Sequence, residues 1–319
     1  MIRQAFVLGA GLGTRLLPLT AERPKPLIPV ANRPLISYGF EHLLSAGVER
    51  FVVNTHWRAE AYGTEFPDAA FRGRPIAFSH EKPEVLETAG GLKNAEGLLR
   101  GEPFWVYNGD ILTTLPLEPA RRAHEKAGNE VTLVLRSSGG PLQVAFDEKT
   151  RRILDLGRRL KTPHEPRFLF TGVYLVEPAF LARVPAGKKV SVIPIFCEMI
   201  RAGAKLGGVV IDTGEWWDLG TREQYLAVHQ ALARGATPVE GVAPWVDSTA
   251  RLGREVKVSG ATAIGAHAQI GAGAHLTDCI IWNRAQVAPG AQLERCVVAG
   301  GAIAEGELRD CDLVTPVLD

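Results

Sequence analysis

The chain has 319 residues, of which 46% are hydrophobic and 22% are charged, and its formal net charge at pH 7 is +1. A chain of this length and apolar content can bury a large core, so we expect one large domain and a smaller one. The near balance of basic and acidic residues excludes a strongly basic nucleic-acid-binding surface. Because the sequence shows no signal peptide and no apolar run long enough to cross a bilayer, it predicts a cytoplasmic protein without a membrane partner.

The first predicted element is a short apolar strand, residues 5–8, that runs directly into a glycine-rich segment, residues 9–15. The three glycines of this segment permit positive φ and close backbone approach, so consecutive N–H groups can converge on anionic oxygens. Arg15 adds a planar fork of donors that suits phosphate. Thr14 stands where a dinucleotide-binding fingerprint ends in glycine, and the lysine and hydroxyl that end a P-loop are missing. The segment therefore predicts a polyphosphate site of another kind.

A lysine framed by prolines follows this segment. Lys25 lies between Pro24 and Pro26, and we expect the prolines to hold it in an extended, stiff arm. An ammonium group fixed in this way suits the neutralisation of phosphate charge. The lysine thus strengthens the interpretation of residues 9–15 as a polyphosphate site.

Strands and helices alternate through about residue 235. Further strands, rich in β-branched and aromatic residues, are predicted at residues 51–54, 76–79, 104–107, 131–135 and 168–176. Helices are predicted after Pro34, over residues 192–200 and from Thr221, where the last begins with a capping-box pattern. This alternation predicts an α/β fold: a Rossmann-like, mostly parallel sheet with helices on both faces and ligands at the carboxyl ends of its strands.

A different pattern begins past Pro238. Apolar residues recur there every five or six residues, at Val258, Ile264, Ile270, Leu276, Ile281, Val287, Leu293, Val298, Ile303, Leu308 and Leu313. This period is typical of a short left-handed parallel β-helix whose apolar residues point into the prism. The sequence thus predicts two domains, a catalytic domain at residues 1–236 and a β-helix at residues 237–319. Because the last coil would expose a sheet edge, we expect a homo-oligomer formed through the β-helix.

Four motifs in order resemble the signature of the sugar-1-phosphate nucleotidylyltransferases, also called nucleotide-sugar pyrophosphorylases. They are residues 9–15, residues 24–29, the turn 108–110 and the segment 217–221. The resemblance covers most of the chain and implies a GT-A-like nucleotidyltransferase fold, followed by the hexapeptide-repeat β-helix that many members carry. It also implies Mg²⁺-dependent transfer of a nucleoside monophosphate from an NTP to a sugar 1-phosphate, with release of pyrophosphate.

The resemblance assigns this chemistry to particular residues. Arg15 would hold the leaving pyrophosphate and Lys25 would neutralise the α-phosphate, because the main barrier is the approach of two groups that carry several negative charges. Asp110 and Asp218 would hold Mg²⁺ through oxygen ligands. The nucleotide contacts fall on Leu8, Gly9, Ala10, Gly11, Gly13, Thr14, Glu81, Thr88, Ala89, Gly90, Asn108 and Gly109. The sugar-phosphate contacts fall on Lys161, Thr171 and Gly172.

The base and the sugar stay open. We expect a loop at residues 79–91 to contact the base, with Gly90 and Gly91 admitting backbone amides. Glu81, an acceptor only, would match the N1 and N2 donors of guanine, and the β-helix also points to the mannose-1-phosphate guanylyltransferase type. By contrast, residues 87–91 and Thr171 resemble the enzymes that make UDP-N-acetylmuramic acid. UTP with N-acetylmuramate 1-phosphate, or with another hexose 1-phosphate, is therefore the alternative.

Two other classes of function are compatible with the sequence. A catalytically silent homologue could bind a nucleotide sugar as a regulator, but the four candidate catalytic and metal residues are all present, which favours an enzyme. Left-handed β-helices also often carry acyltransferases that use a histidine base, and His267 and His275 lie in the repeat. The repeat is short for an acyl-CoA site, so this would be an added activity.

Overall fold

The structure, a computed structural model, describes residues 1–237, 239, 242 and 245–315. Residues 238, 240, 241, 243, 244 and 316–319 of the predicted β-helix domain lie outside the described residues. The chain groups into two compact units. The first comprises Met1–Gly11 and Gly39–Trp217, and the second comprises Leu12–Tyr38 and the chain from Asp218 onward. The boundary at residue 236 remains a prediction, since this grouping joins an N-terminal segment to the C-terminal part.

Short and medium-length strands precede the C-terminal repeat. They are, in chain order, β1 (Gln4–Leu8), β2 (Pro29–Val30), β3 (Arg33–Pro34), β4 (Arg50–Thr55), β5 (Ala70–Phe71), β6 (Arg74–His80), β7 (Phe104–Asn108), β8 (Ile111–Thr113), β9 (Val131–Arg136), β10 (Val144–Asp147), β11 (Arg152–Leu156), β12 (Leu169–Val176), β13 (Leu206–Val210) and β14 (Trp216–Asp218). The strands predicted from composition are all present, which confirms them. The other strands, β2, β3, β5, β8, β10, β11, β13 and β14, were not predicted.

The central sheet of the first unit has ten strands in the order β10-β11-β13-β9-β12-β7-β1-β4-β6-β5. Parallel pairing joins β13 to β9, β7 to β1, β1 to β4 and β4 to β6. Strand β12 runs antiparallel to both of its neighbours, β9 and β7. The sheet is therefore mostly parallel, as predicted, with a reversed strand in its middle and reversed strands toward its edges.

The described residues contain six α-helices: α1 (Leu35–Ser45), α2 (Glu60–Glu65), α3 (Glu87–Asn94), α4 (Glu118–Ala127), α5 (Val192–Arg201) and α6 (Arg222–Ala233). The predicted capping box at the start of α6 is confirmed, because Thr221 accepts from the backbone N–H of Gln224 and the Gln224 side chain accepts from the N–H of Thr221. Helix α3 was not predicted. None of the helices in the described part of the chain is both long and apolar enough to span a bilayer, and the cytoplasmic location stays a prediction.

The main core of the first unit lies between the sheet and the helices packed on it. Phe104 and Val106 of β7 and Leu133 of β9 are fully buried there, together with Leu92 of α3 and Phe196 of α5. Because parallel strands with buried faces read as nearly continuous apolar runs, these strands were visible in the sequence. The short, partly exposed edge strands lack such runs.

The C-terminal repeat folds into stacked coils of short parallel strands that fit a left-handed β-helix. One ladder contains β15 (Arg251–Leu252), β18 (Gln269–Ile270), β21 (Gln286–Val287) and β24 (Ile303–Ala304). The second contains β16 (Lys257–Ser259), β19 (His275–Thr277), β22 (Gln292–Glu294) and β25 (Glu307–Arg309). The third contains β17 (Ala263–Ile264), β20 (Ile280–Ile281), β23 (Val297–Val298) and β26 (Asp312–Leu313). Most of the predicted inward residues are buried in the prism.

Two predicted inward residues are exposed instead. Ile303 is 57% exposed, whereas its neighbour Ala304 is fully buried and pairs in register with Val287. Neighbouring residues of a strand point to opposite sides, so a period that varies between five and six cannot decide which of two adjacent apolar residues faces inward. Val258 lies in register with Leu276 but is 38% exposed, because β16 is the terminal strand of its ladder.

Candidate functional site

The carboxyl ends of three neighbouring strands align at one edge of the sheet in the first unit. Leu8 at the end of β1 lies opposite Asn54 of β4 on one side and opposite Asn108 of β7 on the other. The glycine-rich segment follows Leu8, and the turn with Asp110 follows Asn108. Two of the predicted motifs therefore start at the same strand edge, which is where α/β sheets bind their ligands.

Gly9 is held from two sides by buried side chains. Its N–H donates to Asn54 Oδ1 at 2.8 Å, and its carbonyl accepts from the Tyr62 hydroxyl at 2.7 Å. A Cβ at Gly9 would lie 2.6 Å from the carbonyl oxygen of Asn54, so only glycine fits. The expectation that this glycine offers its N–H to phosphate is wrong for the structure described, because the Asn54 amide already occupies that N–H.

The other residues of the glycine-rich segment in the first unit differ in exposure. Ala10 is buried, whereas Gly11 is exposed and a Cβ there would have no atom within 4 Å. Positive φ was expected to be available to all three glycines, and only Gly13 adopts it, with φ 64°. Gly11 is the position where a ligand finds open backbone, and Gly9 serves packing.

Glu81 is not available to a base. Its side chain is fully buried, with Oε1 accepting from Asn54 Nδ2 at 2.7 Å and Oε2 accepting from the Leu86 N–H at 2.7 Å. The proposed match of Glu81 to the N1 and N2 donors of guanine is therefore wrong, which removes one argument for GTP. Glu81 instead links Asn54, and through it Gly9, to the residue before α3. We call the hydrogen-bonded chain Gly9–Asn54–Glu81–Leu86 the buried relay.

The segment expected to be a base-contacting loop is largely helix α3. The backbone N–H groups of Ala89 and Gly90 both donate to the Val190 carbonyl at 3.0 Å, and Thr88 Oγ1 accepts from the Val192 N–H at 2.8 Å. A Cβ at Gly90 would overlap the Lys188 carbonyl oxygen. These contacts correct the expectation that amides here point to the base, because the protein itself uses them to fasten α3.

The turn after β7 is packed against β1. The Gly109 N–H donates to the Leu8 carbonyl at 3.0 Å, and a Cβ at Gly109 would overlap that oxygen, so glycine is required. The charge of Asp110 reaches Tyr62, whose pKa is raised first by burial and second by this carboxylate. Asp110 thus lies near the hydroxyl that holds Gly9. The turn places a carboxylate at the ligand edge of the sheet.

The predicted sugar-side residues receive different environments. Gly172 has φ 79° and a Cβ there would overlap the Asn108 amide, so this glycine admits the Asn108 side chain. The Thr171 side chain is 1% exposed, and its hydroxyl donates to the Val134 carbonyl at 2.9 Å and accepts from the Val173 N–H at 3.2 Å. Its hydroxyl is thus committed to the irregular stretch of β12, which corrects the expectation of a sugar contact. Lys161 is exposed on a turn with φ 52°.

In the second unit, the phosphate-site candidates lie on a series of 3₁₀ turns, Thr14–Leu16, Leu19–Ala21 and Lys25–Leu27. Thr14 is exposed at the start of the first turn. Gly13 takes positive φ, and a Cβ there would lie 2.9 Å from Thr20 Cγ2 and 3.0 Å from Lys25 Cβ. Lys25 opens a 3₁₀ turn, closed by the Leu27 N–H donating to Pro24 at 2.8 Å. The expectation of an extended arm is therefore wrong at Lys25 itself.

Two cations converge on one carboxylate in this unit. Lys25 Nζ lies 3.6 Å from Asp218 Oδ1, and an Arg15 guanidinium nitrogen lies 3.6 Å from Asp218 Oδ2. The Lys25 side chain is 6% exposed, whereas that of Arg15 is 64% exposed. A buried ammonium requires an opposite charge, and the exposed guanidinium contributes little to stability. The arrangement places an exposed guanidinium and a nearly buried ammonium beside one carboxylate.

Gly220 lies in the predicted motif at residues 217–221, but the sequence analysis gave it no role of its own. A Cβ there would lie 2.5 Å from an Arg15 guanidinium nitrogen, so the absence of a side chain leaves room for the guanidinium over the backbone. Its position two residues after Asp218 was a signal, since a glycine beside a candidate metal ligand suggests close approach. Asn54 was also missed, although a polar residue that ends a buried strand at the ligand edge is a recognisable signal.

The remaining candidate residues are the two proposed metal ligands and the two histidines of the β-helix. In the described residues, no three His, Cys, Asp or Glu side chains form a cluster that could hold a metal ion. The assignment of Asp110 and Asp218 as Mg²⁺ ligands stays a prediction, and phosphate and water oxygens would have to complete the coordination of such an ion. His267 is exposed on a turn with φ 58° and His275 is half-buried in β19. Such positions are ordinary in a β-helix and add no support for acyl transfer.

Comparisons with known proteins identify the family. Residues 4–235 match the nucleotidyl transferase family model. A mannose-1-phosphate guanylyltransferase of Mycobacterium tuberculosis is 31% identical over 301 residues, covering 91% of this chain and 83% of its own length. An N-acetylmuramate α-1-phosphate uridylyltransferase of Neisseria meningitidis is 31% identical over 225 residues, covering 68% of this chain and 93% of its own length.

Solved structures agree on the fold. A putative glucose-1-phosphate thymidylyltransferase from Bacillus anthracis superposes with a TM-score of 0.63 at 19% identity, covering 73% of this chain and 96% of that chain. The inositol-1-phosphate CTP transferase from T. maritima gives a TM-score of 0.60 at 20% identity, covering 70% of this chain and 91% of that chain. The family match covers most of the chain and includes the strand edge, the 3₁₀ turns and Asp218, and so the chain belongs to the nucleotidyl transferase family.

Proposed function

We propose that the chain transfers a nucleoside monophosphate from an NTP to a sugar 1-phosphate, with GTP and mannose 1-phosphate as the preferred pair. The observation that carries the reaction class is the convergence of Arg15 and the buried Lys25 on Asp218 in a nucleotidyl transferase. Bringing two polyanionic groups together is mainly an electrostatic problem, and fixed cations lower that barrier. The four candidate catalytic and metal residues favour this enzyme over a silent regulatory homologue.

The chain's own residues have distinct roles in this proposal. Arg15, exposed and planar, would bind the leaving pyrophosphate through several N–H donors. Lys25, fixed in a buried turn, would stay close to the α-phosphate as charge redistributes at phosphorus. The open backbone at Gly11 would admit the triphosphate. The in-line attack by the sugar-phosphate oxygen then needs no covalent enzyme intermediate.

A divalent metal is general in this family, and we propose Mg²⁺ with Asp110 and Asp218 as its protein ligands. The residues fit such an ion, because carboxylate oxygens are the donors Mg²⁺ prefers and the Asp218 side chain is 30% exposed. When bound, the ion would neutralise charge on the reacting phosphates. Asp218 also holds both cations, so its loss would disturb Arg15 and Lys25 together.

The preference for GTP and mannose 1-phosphate rests on how much of this chain each relative matches. The guanylyltransferase relative matches 91% of this chain, whereas the uridylyltransferase relative matches 68% of it although the match spans 93% of that relative. Of these two relatives, only the guanylyltransferase supports a counterpart of the β-helix. UTP with N-acetylmuramate 1-phosphate or another hexose 1-phosphate stays the alternative, since identity over the matched part is the same, 31%.

Assembly through the β-helix is a further part of the proposal. The first coil exposes apolar side chains, with Val246 at 37%, Leu252 at 43% and Val258 at 38% exposure. An apolar prism end of this kind is suited to cover by a second copy. Sedimentation of the wild type and of a Leu252→Lys, Val258→Lys double variant tests it. We expect an oligomer that the double substitution dissociates, and a monomeric wild type would contradict the proposal.

A panel assay tests the reaction. The protein is incubated with each of GTP, UTP, ATP, CTP and dTTP, a series of sugar 1-phosphates, and Mg²⁺ or EDTA, and pyrophosphate release is measured. We expect the highest rate with GTP and mannose 1-phosphate and no release with EDTA. Preference for UTP with N-acetylmuramate 1-phosphate would select the alternative. Binding of a nucleotide sugar without turnover of any pair would overturn the proposed enzyme.

Paired lysine variants separate the site from general charge effects. Lys25→Ala removes the buried ammonium, and we expect kcat to fall at least about a hundredfold because its charge acts mainly in the transition state. Lys257→Ala removes an exposed lysine of the β-helix and serves as the control. Equal rates in the two variants would remove Lys25 from the mechanism.

A further inference from the structure

The segment that carries Lys25 ends in a tight hairpin with strained geometry. Strands β2 and β3 pair antiparallel, and the two residues that join them, Ala31 and Asn32, have φ values of 43° and 62°. Two consecutive positive φ values are typical of a two-residue hairpin turn, where glycine or asparagine is preferred. Ala31 is fully buried in this unfavourable conformation. Such geometry persists only where surrounding contacts hold it. We call residues 22–34 the lysine arm.

The hairpin tip is fastened by side chains and carbonyls from the C-terminal part of the same unit. The Ala31 N–H donates to His229 Nε2 at 3.1 Å, and His229 Nδ1 donates to the Tyr225 carbonyl at 2.8 Å, which fixes the neutral tautomer. Asn32 Nδ2 donates to the Trp245 carbonyl at 3.1 Å and to the Ile264 carbonyl at 3.0 Å. Helix α6 and the first coil of the β-helix together hold the tip.

A second set of contacts reaches the arm closer to Lys25. The Tyr225 hydroxyl donates to the Pro29 carbonyl, and it accepts from Trp282 Nε1 at 3.1 Å. Tyr225 is fully buried and Trp282 is 3% exposed. The Arg23 guanidinium lies 6.0 Å from the centre of the Trp282 ring. The indole of a β-helix residue thus supports the arm on both sides of Lys25, through Pro29 and through Arg23.

We propose that Tyr225, His229 and Trp282 are positioning residues for nucleotidyl transfer, which hold the lysine arm so that the β-helix forms a structural part of the catalytic centre. The inference rests on the proposed function, since it acts through Lys25. It differs from an assembly role, because every contact named lies within one chain. The Lys25 ammonium is close to Asp218, and small displacements of a fixed cation reduce the chemical step more than substrate binding.

Tyr225→Phe tests the proposal with little change in volume. It removes the hydroxyl that joins Pro29 to Trp282, and we expect kcat to fall about tenfold to a hundredfold, with the KM for NTP within about twofold of the wild type. Tyr174→Phe is the matched control, because Tyr174 is fully buried and its hydroxyl has no hydrogen-bond partner among the described residues. A fall in kcat of the same size in both variants would overturn the proposal.

A double-mutant cycle with Lys25→Ala shows whether the hydroxyl acts through the lysine. If it does, Tyr225→Phe should lower kcat in the wild-type background and leave it within about twofold in the Lys25→Ala background. A fully additive loss would mean a merely structural effect and would overturn the proposal. Thermal unfolding of each variant confirms that the folded protein is compared.

Trp282→Phe extends the test to the β-helix. It also tests the proposal if the Tyr225 variant does not fold. It removes the indole N–H donor while keeping an aromatic ring under Arg23, and we expect a smaller, severalfold fall in kcat that is again absent without Lys25. The outcomes separate the two proposals. Unchanged kcat in the Tyr225 and Trp282 variants, with a large loss in Lys25→Ala, rejects the positioning role and keeps the proposed function. Unchanged kcat in Lys25→Ala rejects the positioning role and removes Lys25 from the mechanism, whereas the absence of turnover in the wild type rejects the proposed function.

Discussion

Each of the two units contains a group of candidate residues, and the two groups are held in place by different means. In the first unit, the ligand edge is formed by strand ends, glycines and a relay of uncharged and charged groups that is buried and hydrogen-bonded within the protein. In the second unit, the working groups are charges on short 3₁₀ turns, held by contacts that come from residues about two hundred positions away in the chain. The ligand edge of the first unit is thus held by buried hydrogen bonds, whereas the charges of the second unit depend on residues far away in the chain.

This difference bears on what each region contributes. A strand edge held by buried hydrogen bonds favours selection of ligand shape, because it changes little when a ligand arrives. Charges on a supported arm govern the rate, because their value depends on distances to the phosphates. Substitutions in the first unit should therefore affect NTP binding, and substitutions in the second unit should affect turnover. Asp110 and Asp218, the proposed metal ligands, are the exception.

Replacing either candidate metal ligand is expected to have the largest effect. Asp110→Asn and Asp218→Asn each keep the size of the side chain and remove a carboxylate, so we expect kcat to fall by about a thousandfold or more in Mg²⁺. The control is Asp68→Asn, at an exposed position of the first unit. Pyrophosphate release at saturating substrates measures the effect. Near-wild-type kcat in both site variants would remove the metal assignment.

Acid should weaken the second unit through His229. Burial lowers the pKa of His229 to about 4, whereas an unfolded histidine titrates near 6.5. Between these values the unfolded state binds more protons, so the free energy of unfolding falls as the pH drops from about 6.5 to about 4, by about 3 kcal/mol. Below the folded pKa this dependence ends, and the protonated ring no longer accepts from Ala31.

Urea unfolding at several pH values checks this contribution. Burial also lowers the pKa of His42 and of His124, so the wild type has other contributions of the same sign. The His229→Gln variant isolates the difference, since a Gln side-chain oxygen can still accept from the Ala31 N–H without titrating. We expect the pH slope of the variant to be smaller by about 1.4 kcal/mol per pH unit between pH 6 and 5. Identical slopes would show that His229 is protonated freely in the folded protein.

The buried relay gives the corresponding test of the first unit. Both oxygens of Glu81 accept from donors, so Glu81→Gln must turn its NH₂ toward one of them. We expect a loss of about 1–3 kcal/mol in the free energy of unfolding and an increase of about tenfold in the KM for NTP, with a smaller change in kcat. Glu84→Gln is the matched control, at a 64% exposed side chain three residues on. A change confined to kcat would contradict the separation of the two regions.

The sequence predicted local features well and distant contacts poorly. Strands β1, β4 and β7 and the capping box at Thr221 follow from apolar runs and short-range chemistry, and each was found. The burial of Glu81 depends on Asn54 and Leu86, whose approach is set by strand pairing and the start of α3, so a carboxylate near glycines looked accessible. The contacts of the lysine arm could likewise not be predicted, because the residues that hold it are spread over α6 and the β-helix.

The smallest expected effect is that of replacing an isoleucine that points out of the β-helix. Ile303 is 57% exposed and Ile281 is 1% exposed, although the repeat pattern predicted both to point inward. With the same substitution at both positions, Ile281→Ala should cost about 2–5 kcal/mol through the cavity it leaves, whereas Ile303→Ala should stay within about 0.5 kcal/mol of the wild type. Denaturant unfolding at two protein concentrations measures both and removes any contribution from assembly. Equal losses would place Ile303 inside the prism and Ala304 outside. The coils that follow Trp282 in the chain would then have a different register.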